Sequence, residues 1–134
     1  MKIKCELRHP DAVIPKHETN GAAGMDLKAV SKEEGLYYTE YDTGLAVAIP
    51  EGYVGLVFPR SSISKKAGMS LANAVGVIDS DYRGTIRCRF RGNQYEAGEK
   101  VAQLVVIQHE HVQFEEDYLG DTERGDGGFG STGN

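Results

Sequence analysis

One carboxylate between residues 73 and 84 is the strongest candidate for acid–base chemistry. Asp79 directly follows Val77 and Ile78, two strand-forming residues that should leave it partly buried, where a solvated carboxylate is not expected. Turn residues come next and Thr85-Ile86 resumes an apolar strand, so the stretch is predicted to be a β-hairpin. Taken alone, an acid that bonds its own turn backbone explains Asp79 more simply than catalysis does.

A second candidate, Pro59-Arg60-Ser61-Ser62, could bind an anion. It follows an apolar strand and enters the best helix candidate of the chain, residues 62–68, which a serine is expected to cap and Gly68 to end. Free N–H groups at a helix start, two hydroxyls and the charge of Arg60 all favour a phosphate. Helix capping alone also accounts for the serines.

Two polar residues near or within strands are further candidates. Asp26 precedes a predicted strand, and it either faces a site, satisfies nearby backbone amides or pairs with an arginine. Gln103 interrupts the most apolar strand, residues 101–107. A buried amide needs partners, so Gln103 must bond backbone or meet a ligand.

The chain ends in a stretch that cannot form a core of its own. Residues 121–134 contain almost no apolar residue besides Phe129, which glycines separate from Arg124 and Ser131. Such a segment should be mobile when free, yet its aromatic ring could stack on a base and its polar side chains could hold phosphate. We therefore divide the chain into a folded domain, residues 1–119, and a flexible arm, residues 120–134.

Length and composition indicate the scaffold that must position these residues. The chain has 134 residues, enough for one domain with one core. A net charge of −5 argues against a nucleic-acid-binding protein, which needs a broad basic surface, but a few converging cations can still hold a small anion. Short apolar strands recur too often for helical crossovers, so an all-β fold is predicted. The predicted strands include residues 2–7, a half-buried edge strand, and residues 44–49, 53–58, 85–91 and 101–107.

The remaining reactive side chains suggest a reducing compartment. Cys5 and Cys88 match neither a disulfide framework nor a zinc site, and we expect both to be buried free thiols. His9 and His17 lie in a loop without partnering ligands and are assigned no function. Because the start of the chain lacks a signal-like apolar run and no segment approaches membrane-spanning length, a cytoplasmic location is expected.

Five short motifs, in order along nearly the whole chain, resemble those of the homotrimeric dUTP pyrophosphatases. They are Ala23-Gly24-Met25-Asp26-Leu27, Pro59-Arg60-Ser61-Ser62, Gly76-Val-Ile-Asp-Ser-Asp-Tyr-Arg-Gly84, Gly98-Glu-Lys-Val-Ala-Gln-Leu104 and Arg124-Gly-Asp-Gly-Gly-Phe-Gly-Ser-Thr-Gly133. Any one motif could arise by chance. Five in order with a glycine-rich tail are highly specific, and they favour a functional interpretation over the simpler explanations given above.

The resemblance implies an all-β, distorted jelly-roll or β-clip subunit with one short helix, assembled as a homotrimer. Three active sites would lie at subunit interfaces, each closed by the C-terminal arm of a neighbour. The implied reaction is hydrolysis of dUTP to dUMP and pyrophosphate with Mg²⁺ on the triphosphate, which keeps uracil out of DNA and supplies dUMP for thymidylate synthesis. Neither nucleic acid nor a membrane is an expected partner.

The resemblance also implies roles in catalysis and phosphate binding. Asp79 would be the general base that deprotonates the water attacking the α-phosphorus. Asp26 would bond a water of the Mg²⁺ shell, because Mg²⁺ keeps several waters and would sit mainly on the phosphates. The residues implied to hold the phosphates are Arg60, Ser61, Ser62, Gln103, Arg124, Gly130 and Ser131.

Selection of the base and sugar is implied as well. The residues concerned are Asn73, Gly76, Val77, Ile78, Tyr82 and Phe129. The backbone of residues 76–78 and the Asn73 side chain would pair with the uracil edge, and cytosine would leave buried groups unpaired. Tyr82 would stack under deoxyribose and leave no space for a 2′-hydroxyl, and Phe129 would cover the uracil.

Three departures from the family pattern and two alternative functions accompany this interpretation. Ser62 stands where the family more often has glycine, Glu99-Lys100 replaces a commoner Asp-Arg, and Thr85 follows the third motif where other residues are frequent. A related dCTP deaminase is one alternative, but residues 85–89 lack the acid that such enzymes use at the base. A regulator that senses dUTP and signals through its arm is the other.

Overall fold

Two antiparallel sheets make up the computed structural model, which describes residues 1–133; Asn134, the last residue of the predicted arm, lies outside the described residues. The first sheet contains β1 (Lys4–Leu7), β3 (Ser31–Glu34), β4 (Thr39–Ala48), β6 (Ser70–Leu71) and β8 (Thr85–Arg91). The second contains β2 (Met25–Lys28), β5 (Tyr53–Pro59), β7 (Gly76–Ile78) and β9 (Lys100–Gln108). The predicted all-β fold with one short helix is confirmed, the helix being a 3₁₀ helix at Ser61–Lys65.

Strand β8 shows how the sequence pattern builds the core. Its residues alternate strictly, so that Ile86, Cys88 and Phe90 are buried while the intervening arginines are exposed. Alternation follows from the pleat of a strand, which turns successive side chains to opposite faces. Fully burying a side chain such as Ile or Phe stabilises the fold by about 1.5–3 kcal/mol. Burial also raises the pKa of the Cys88 thiol to about 12.

Three aromatic rings occupy the centre of the core. Tyr41 of β4, Phe90 of β8 and Tyr95 of the following loop are each at most 1 % exposed and meet edge to face, with ring centroids 5.5 to 6.0 Å apart. The Tyr41 hydroxyl donates to the Tyr95 carbonyl oxygen at 3.0 Å. The loop between β8 and β9 is therefore fixed to the first sheet.

The predicted β-hairpin at residues 73–84 is wrong. Strand β7 pairs with β5 in the second sheet, whereas β8 pairs with β4 and β6 in the first, so the turn after Ile78 carries the chain from one sheet to the other. The local pattern showed two strands and a turn correctly. It could not show that each strand finds its partner elsewhere in the chain.

Strand β1 also differs from expectation. It lies at an edge as predicted and pairs only with β4, but all four of its residues are exposed in this chain. Cys5 is consequently an exposed thiol, and the expectation that it is buried was wrong, whereas Cys88 is buried as expected. Both cysteines are free thiols. Within residues 1–133, no helix has the length and apolar character needed to cross a bilayer.

Candidate active site

The register of the second sheet brings the first, second and fourth motifs together. Asp26 of β2 pairs with Gln103 of β9, which on its other side pairs with Phe58 of β5, directly before Pro59-Arg60. Gln103 Nε2 donates to the Pro59 carbonyl oxygen at 3.0 Å. The amide therefore forms a hydrogen bond with the backbone, which is one of the two predicted possibilities. Gly24 leaves room for that amide, because a Cβ there would overlap Gln103 Oε1.

Asp26 is held by two cations. Arg60 Nε lies 3.1 Å from Asp26 Oδ1, and Lys100 Nζ lies 3.3 Å from Oδ2. Lys100 is also 3.4 Å from Glu18 Oε1, and its hydrogen bond to Asp26 is the main cause that raises the pKa of Lys100. Of the interactions predicted for Asp26, pairing with an arginine is the one that the structure shows. The pairing fixes the Arg60 guanidinium beside the 3₁₀ helix.

Neither serine of the second motif caps that helix. Arg60 occupies the cap position with extended backbone (φ −75°, ψ 152°) and no side chain caps the helix, so the expected serine cap is wrong. Ser64 Oγ instead donates back to the Ser61 carbonyl oxygen at 2.9 Å. A five-residue 3₁₀ turn has a small dipole, and any anion here would rely on Arg60 and the hydroxyls of Ser61 and Ser62.

Asp79 and Tyr82 of the third motif line a different cavity. Its volume is about 260 Å³ and its lining residues are Glu40, Val77, Ile78, Asp79, Tyr82, Arg87 and Arg89. Asp79 is exposed in this chain, contrary to the expectation of partial burial, because β7 ends at Ile78 and Asp79 begins a turn in which its carbonyl accepts the Tyr82 N–H at 3.1 Å. Within residues 1–133 no cation pairs with Asp79, whereas Glu40 is paired with Arg89 at 3.0 Å.

Tyr82 is held by its own turn. The hydroxyl donates to the Thr85 carbonyl oxygen at 2.9 Å. The ring folds over Gly84, where a Cβ would overlap Tyr82 Oη and lie 2.6 Å from Tyr82 Cζ. Only glycine at position 84 permits this placement of the ring.

The backbone predicted to read uracil is free on one side. Strand β7 is an edge strand, paired with β5 alone, so one edge of residues 76–78 keeps unpaired N–H and C=O groups. Before it, Ala74 adopts a positive φ of 62°, unusual for a residue with a Cβ, and the Val75 N–H bonds the Asn73 carbonyl oxygen at 2.6 Å. This tight turn leaves Asn73 exposed next to the free edge.

The two groups of residues lie at opposite ends of β5. Ile78, next to Asp79, pairs with Gly55, and the Arg60 end is five residues further along extended chain. At roughly 3.3 Å per strand residue, the Cα atoms of Gly55 and Arg60 are roughly 16 Å apart. Within one chain, Asp79 and Arg60 therefore belong to separate groups, and among residues 1–133 no hydrogen bond or ion pair joins them.

The fifth motif is set apart from both groups. Among residues 1–133, no hydrogen bond joins the segment after His109 to the two sheets. The motif folds on itself, with Arg124 Nε donating to the Gly127 carbonyl oxygen at 2.8 Å and the Ser131 N–H bonding the Gly128 carbonyl oxygen at 3.0 Å. Phe129 is fully exposed in the left-handed region, at φ 53°, and Gly130 at φ 85°.

Several residues at these sites escaped the sequence analysis. Lys100 appeared there only as a departure from a family pattern, and Glu18, Ala74 and Tyr95 carried no signal at all. Gly84 appeared only as the last residue of the third motif, and the structure adds its contact with Tyr82. Such contacts depend on side-chain packing between distant segments, which no local pattern reports.

Comparison with known proteins gives a consistent result. The family model described as dUTPase matches residues 11–133. Curated relatives named deoxyuridine 5'-triphosphate nucleotidohydrolase include those of Escherichia phage T5, 44 % identical with 98 % of each chain covered, and Finegoldia magna, 38 % identical with 99 % of each covered. Among solved structures, a G164S mutant of the Staphylococcus bacteriophage 80alpha dUTPase with dUpNHpp is similar at 25 % identity, with a TM-score of 0.82 and 99 % of each chain covered.

Proposed function

This chain belongs to the dUTPase family, and we propose that it is a dUTP nucleotidohydrolase whose active sites are each assembled from more than one subunit. The reaction is dUTP plus water giving dUMP and pyrophosphate. The observation that carries the assembly is the separation along β5 of Asp79 from Arg60, although both belong to motifs that the family relationship assigns to one site.

The proposed chemistry begins at Asp79. Its exposed, unpaired carboxylate accepts a proton from a water as that water attacks the α-phosphorus. The arrangement requires the phosphate-binding residues of a neighbouring subunit to face the cavity that contains Asp79 and Tyr82. Arg60, Ser61, Ser62 and Gln103 of that neighbour then hold the triphosphate and offset the charge that grows on the leaving pyrophosphate.

Base and sugar recognition is assigned to the edge of β7. The free N–H and C=O groups of Gly76, Val77 and Ile78 pair with uracil, and Asn73 adds its side-chain amide. The Tyr82 ring, fixed by its bond to the Thr85 carbonyl oxygen, lies under the sugar and excludes a 2′-hydroxyl by contact.

The arm completes the site by closing over it. Phe129 is fully exposed and available to stack on the uracil, and Arg124, Gly130 and Ser131 bind the γ-phosphate and exclude water. The segment before the arm supports association between subunits, because it exposes apolar side chains that no other part of residues 1–133 covers. These are Val112, Phe114, Tyr118 and Leu119, at 63, 95, 81 and 95 % exposure.

Mg²⁺ fits this site as an ion carried by the substrate. Within the described residues no three His, Cys, Asp or Glu side chains gather into a metal cage. Asp26 is committed to Arg60 and Lys100, but each carboxylate oxygen has a further lone pair that can accept a hydrogen bond from a metal-bound water. When bound, Mg²⁺ neutralises part of the triphosphate charge.

The test is pyrophosphate release from dUTP, dCTP, dTTP and UTP, with Mg²⁺ and with chelator. It uses the full chain and a version ending at Glu123. Release from dUTP alone, dependent on Mg²⁺ and largely lost on truncation, is expected. Ammonia from dCTP would instead identify a deaminase, and dUTP binding without turnover would identify a sensor.

The sensor is kept as a second candidate because of one comparison. The Staphylococcus bacteriophage 80alpha dUTPase, whose solved structure is 25 % identical to this chain, is described as one of the phage dUTPases that control transfer of virulence genes by a proto-oncogenic G protein-like mechanism. An arm without hydrogen bonds to the sheets could order on binding dUTP and present a different surface. Partner capture with and without dUpNHpp distinguishes a sensing role from turnover alone.

A further inference from the structure

Tyr95 carries the one buried side-chain polar atom within residues 1–133 that lacks a hydrogen-bond partner. The residue is 1 % exposed and its ring packs against Tyr41 and Phe90, with centroids 6.0 and 5.5 Å away. Buried polar atoms are nearly always hydrogen-bonded, because leaving one unpaired costs free energy. An unpaired hydroxyl in a well-packed core therefore requires an explanation.

The Tyr95 ring lies against the segment that directly follows the second motif. The Tyr95 backbone is fixed by the Tyr41 hydroxyl at 3.0 Å, and Lys66 Nζ, directly after the 3₁₀ helix, lies 4.9 Å from the ring centroid. Burial raises the pKa of Tyr95, and the nearby Ser62 hydroxyl and the Arg60 charge act to lower it. The Ser62 hydroxyl is therefore close enough to act on Tyr95 Oη, which has no hydrogen bond of normal distance and angle within the described residues.

Their chemistry makes them complementary once an anion is bound. A serine hydroxyl has one proton to donate and two lone pairs, so Ser62 can donate to a phosphate oxygen and accept at the same time. Tyr95 has a proton and no other acceptor in reach among the described residues. Hydrogen bonds in such a chain strengthen one another.

We propose that Tyr95 is a positioning residue for phosphate binding: its hydroxyl donates to Ser62 Oγ when the triphosphate is bound, and Ser62 donates to a phosphate oxygen. This inference rests on the proposed function. It gives the serine at position 62, where glycine is commoner in the resembled family, a role that its side chain alone can fill.

The test compares five full-length variants: Tyr95→Phe, Ser62→Ala, the double variant of these two, Tyr41→Phe as a control, and Tyr41→Phe combined with Ser62→Ala. Tyr95→Phe should lower kcat/KM for dUTP roughly tenfold, mainly through KM, because Ser62 loses the hydrogen bond that positions it on the charged phosphate. Its melting temperature should not fall, since the hydroxyl it removes is unpaired. The double variant should be no worse than Ser62→Ala. Tyr41→Phe removes a paired hydroxyl of the same cluster, so it should lower the melting temperature without coupling to Ser62→Ala.

Affinity for the non-hydrolysable dUpNHpp, measured by calorimetry, provides a readout that does not depend on turnover and should fall by the same factor in Tyr95→Phe. Unchanged kcat/KM and affinity in Tyr95→Phe, or effects of Tyr95→Phe and Ser62→Ala that multiply, would overturn the inference. If one of these outcomes is found while the unmodified chain cleaves dUTP normally, this inference fails and the proposed function stands. If the unmodified chain does not cleave dUTP, the proposed function and this inference both fail.

Discussion

At the scale of single residues, Asp79 differs from the other carboxylate in its cavity, because it has no cation partner among residues 1–133. Glu40 lines the same cavity but is paired with Arg89 at 3.0 Å, which leaves its oxygens committed. A general base must be free to accept a proton from water and close to the reacting atom. Asp79 meets the first condition in the isolated chain, and the assembled site is expected to supply the second.

Replacing Asp79 by Asn should remove the base while keeping the shape of the side chain. We expect kcat to fall about 10²- to 10⁴-fold, the usual contribution of a general base, with dUpNHpp affinity little changed. Asp81→Asn is the matched control, because it makes the same change two residues away in the same exposed turn. Turnover of Asp79→Asn close to that of Asp81→Asn would remove Asp79 from the mechanism.

Gly84 is expected to determine sugar selectivity through Tyr82. A methyl group at position 84 would overlap the Tyr82 hydroxyl, so Gly84→Ala must displace the ring from beneath the sugar. The ratio of kcat/KM for dUTP to that for UTP should fall about tenfold or more, since steric exclusion in a pocket is worth about 1–3 kcal/mol. Gly21→Ala, where an added Cβ meets nothing within 4 Å, controls for the general effect of the substitution. A ratio unchanged from Gly21→Ala would show that Tyr82 does not exclude the ribose.

At the scale of strands, the pairing of β2 with β9 aligns two motifs whose paired residues are 75 to 79 positions apart in sequence. The register sets Asp26 opposite Gln103, and Gly24 provides the space into which the Gln103 amide fits. The pairing of two distant segments thus determines where the Gln103 amide can lie.

Gly24→Ala should disturb that amide and little else. The added Cβ would overlap only the flexible end of Gln103, which can move away at small cost. We expect KM for dUTP to rise several-fold with a melting temperature within a few degrees of the original, because the fold loses little while Gln103 leaves the Pro59 carbonyl. Kinetics and thermal denaturation of Gly24→Ala and Gly21→Ala side by side check this. A large fall in melting temperature, or an unchanged KM, would contradict it.

The strands also show what the sequence could and could not predict. The boundaries of β8 were predicted correctly, because alternation of Ile86, Cys88 and Phe90 with arginines is a purely local signal. Which strands pair with each other is not a local property, and β7 and β8 were therefore wrongly predicted to form a hairpin. The exposure of Cys5 and Asp79 was missed for the same reason, since burial depends on which surface covers a strand or turn.

For the site, the motifs supplied candidate residues but not their arrangement. Asp26, Arg60 and Gln103 come together as a family relationship leads one to expect, whereas Asp79 lies at the far end of β5. The network of Asp26 with Lys100 and Glu18, and the environment of the Tyr95 hydroxyl, depend on packing between distant segments, which the sequence does not report.

At the scale of the whole molecule, residues 1–133 contain three groups of candidate site residues that do not meet. The residues proposed to bind phosphate lie at one end of β5, those proposed to act as the base and to bind uracil lie at the other, and the fifth motif stands apart from both sheets. Oligomers with cyclic symmetry can complete such sites by bringing different faces of identical subunits together. We therefore expect loss of assembly to abolish activity without unfolding the subunit.

Complementation between two inactive variants tests whether Asp79 and Arg60 of one site come from different subunits. Asp79→Asn chains keep Arg60, and Arg60→Ala chains keep Asp79. If each site takes these residues from different subunits, co-expression of the two variants in equal amounts should restore dUTP hydrolysis at about one quarter of the sites by random mixing. Each variant alone should remain inactive, and the recovered activity should co-elute with mixed oligomers. Co-purified mixed oligomers without any recovery would show that Asp79 and Arg60 act within one chain, and would contradict the account.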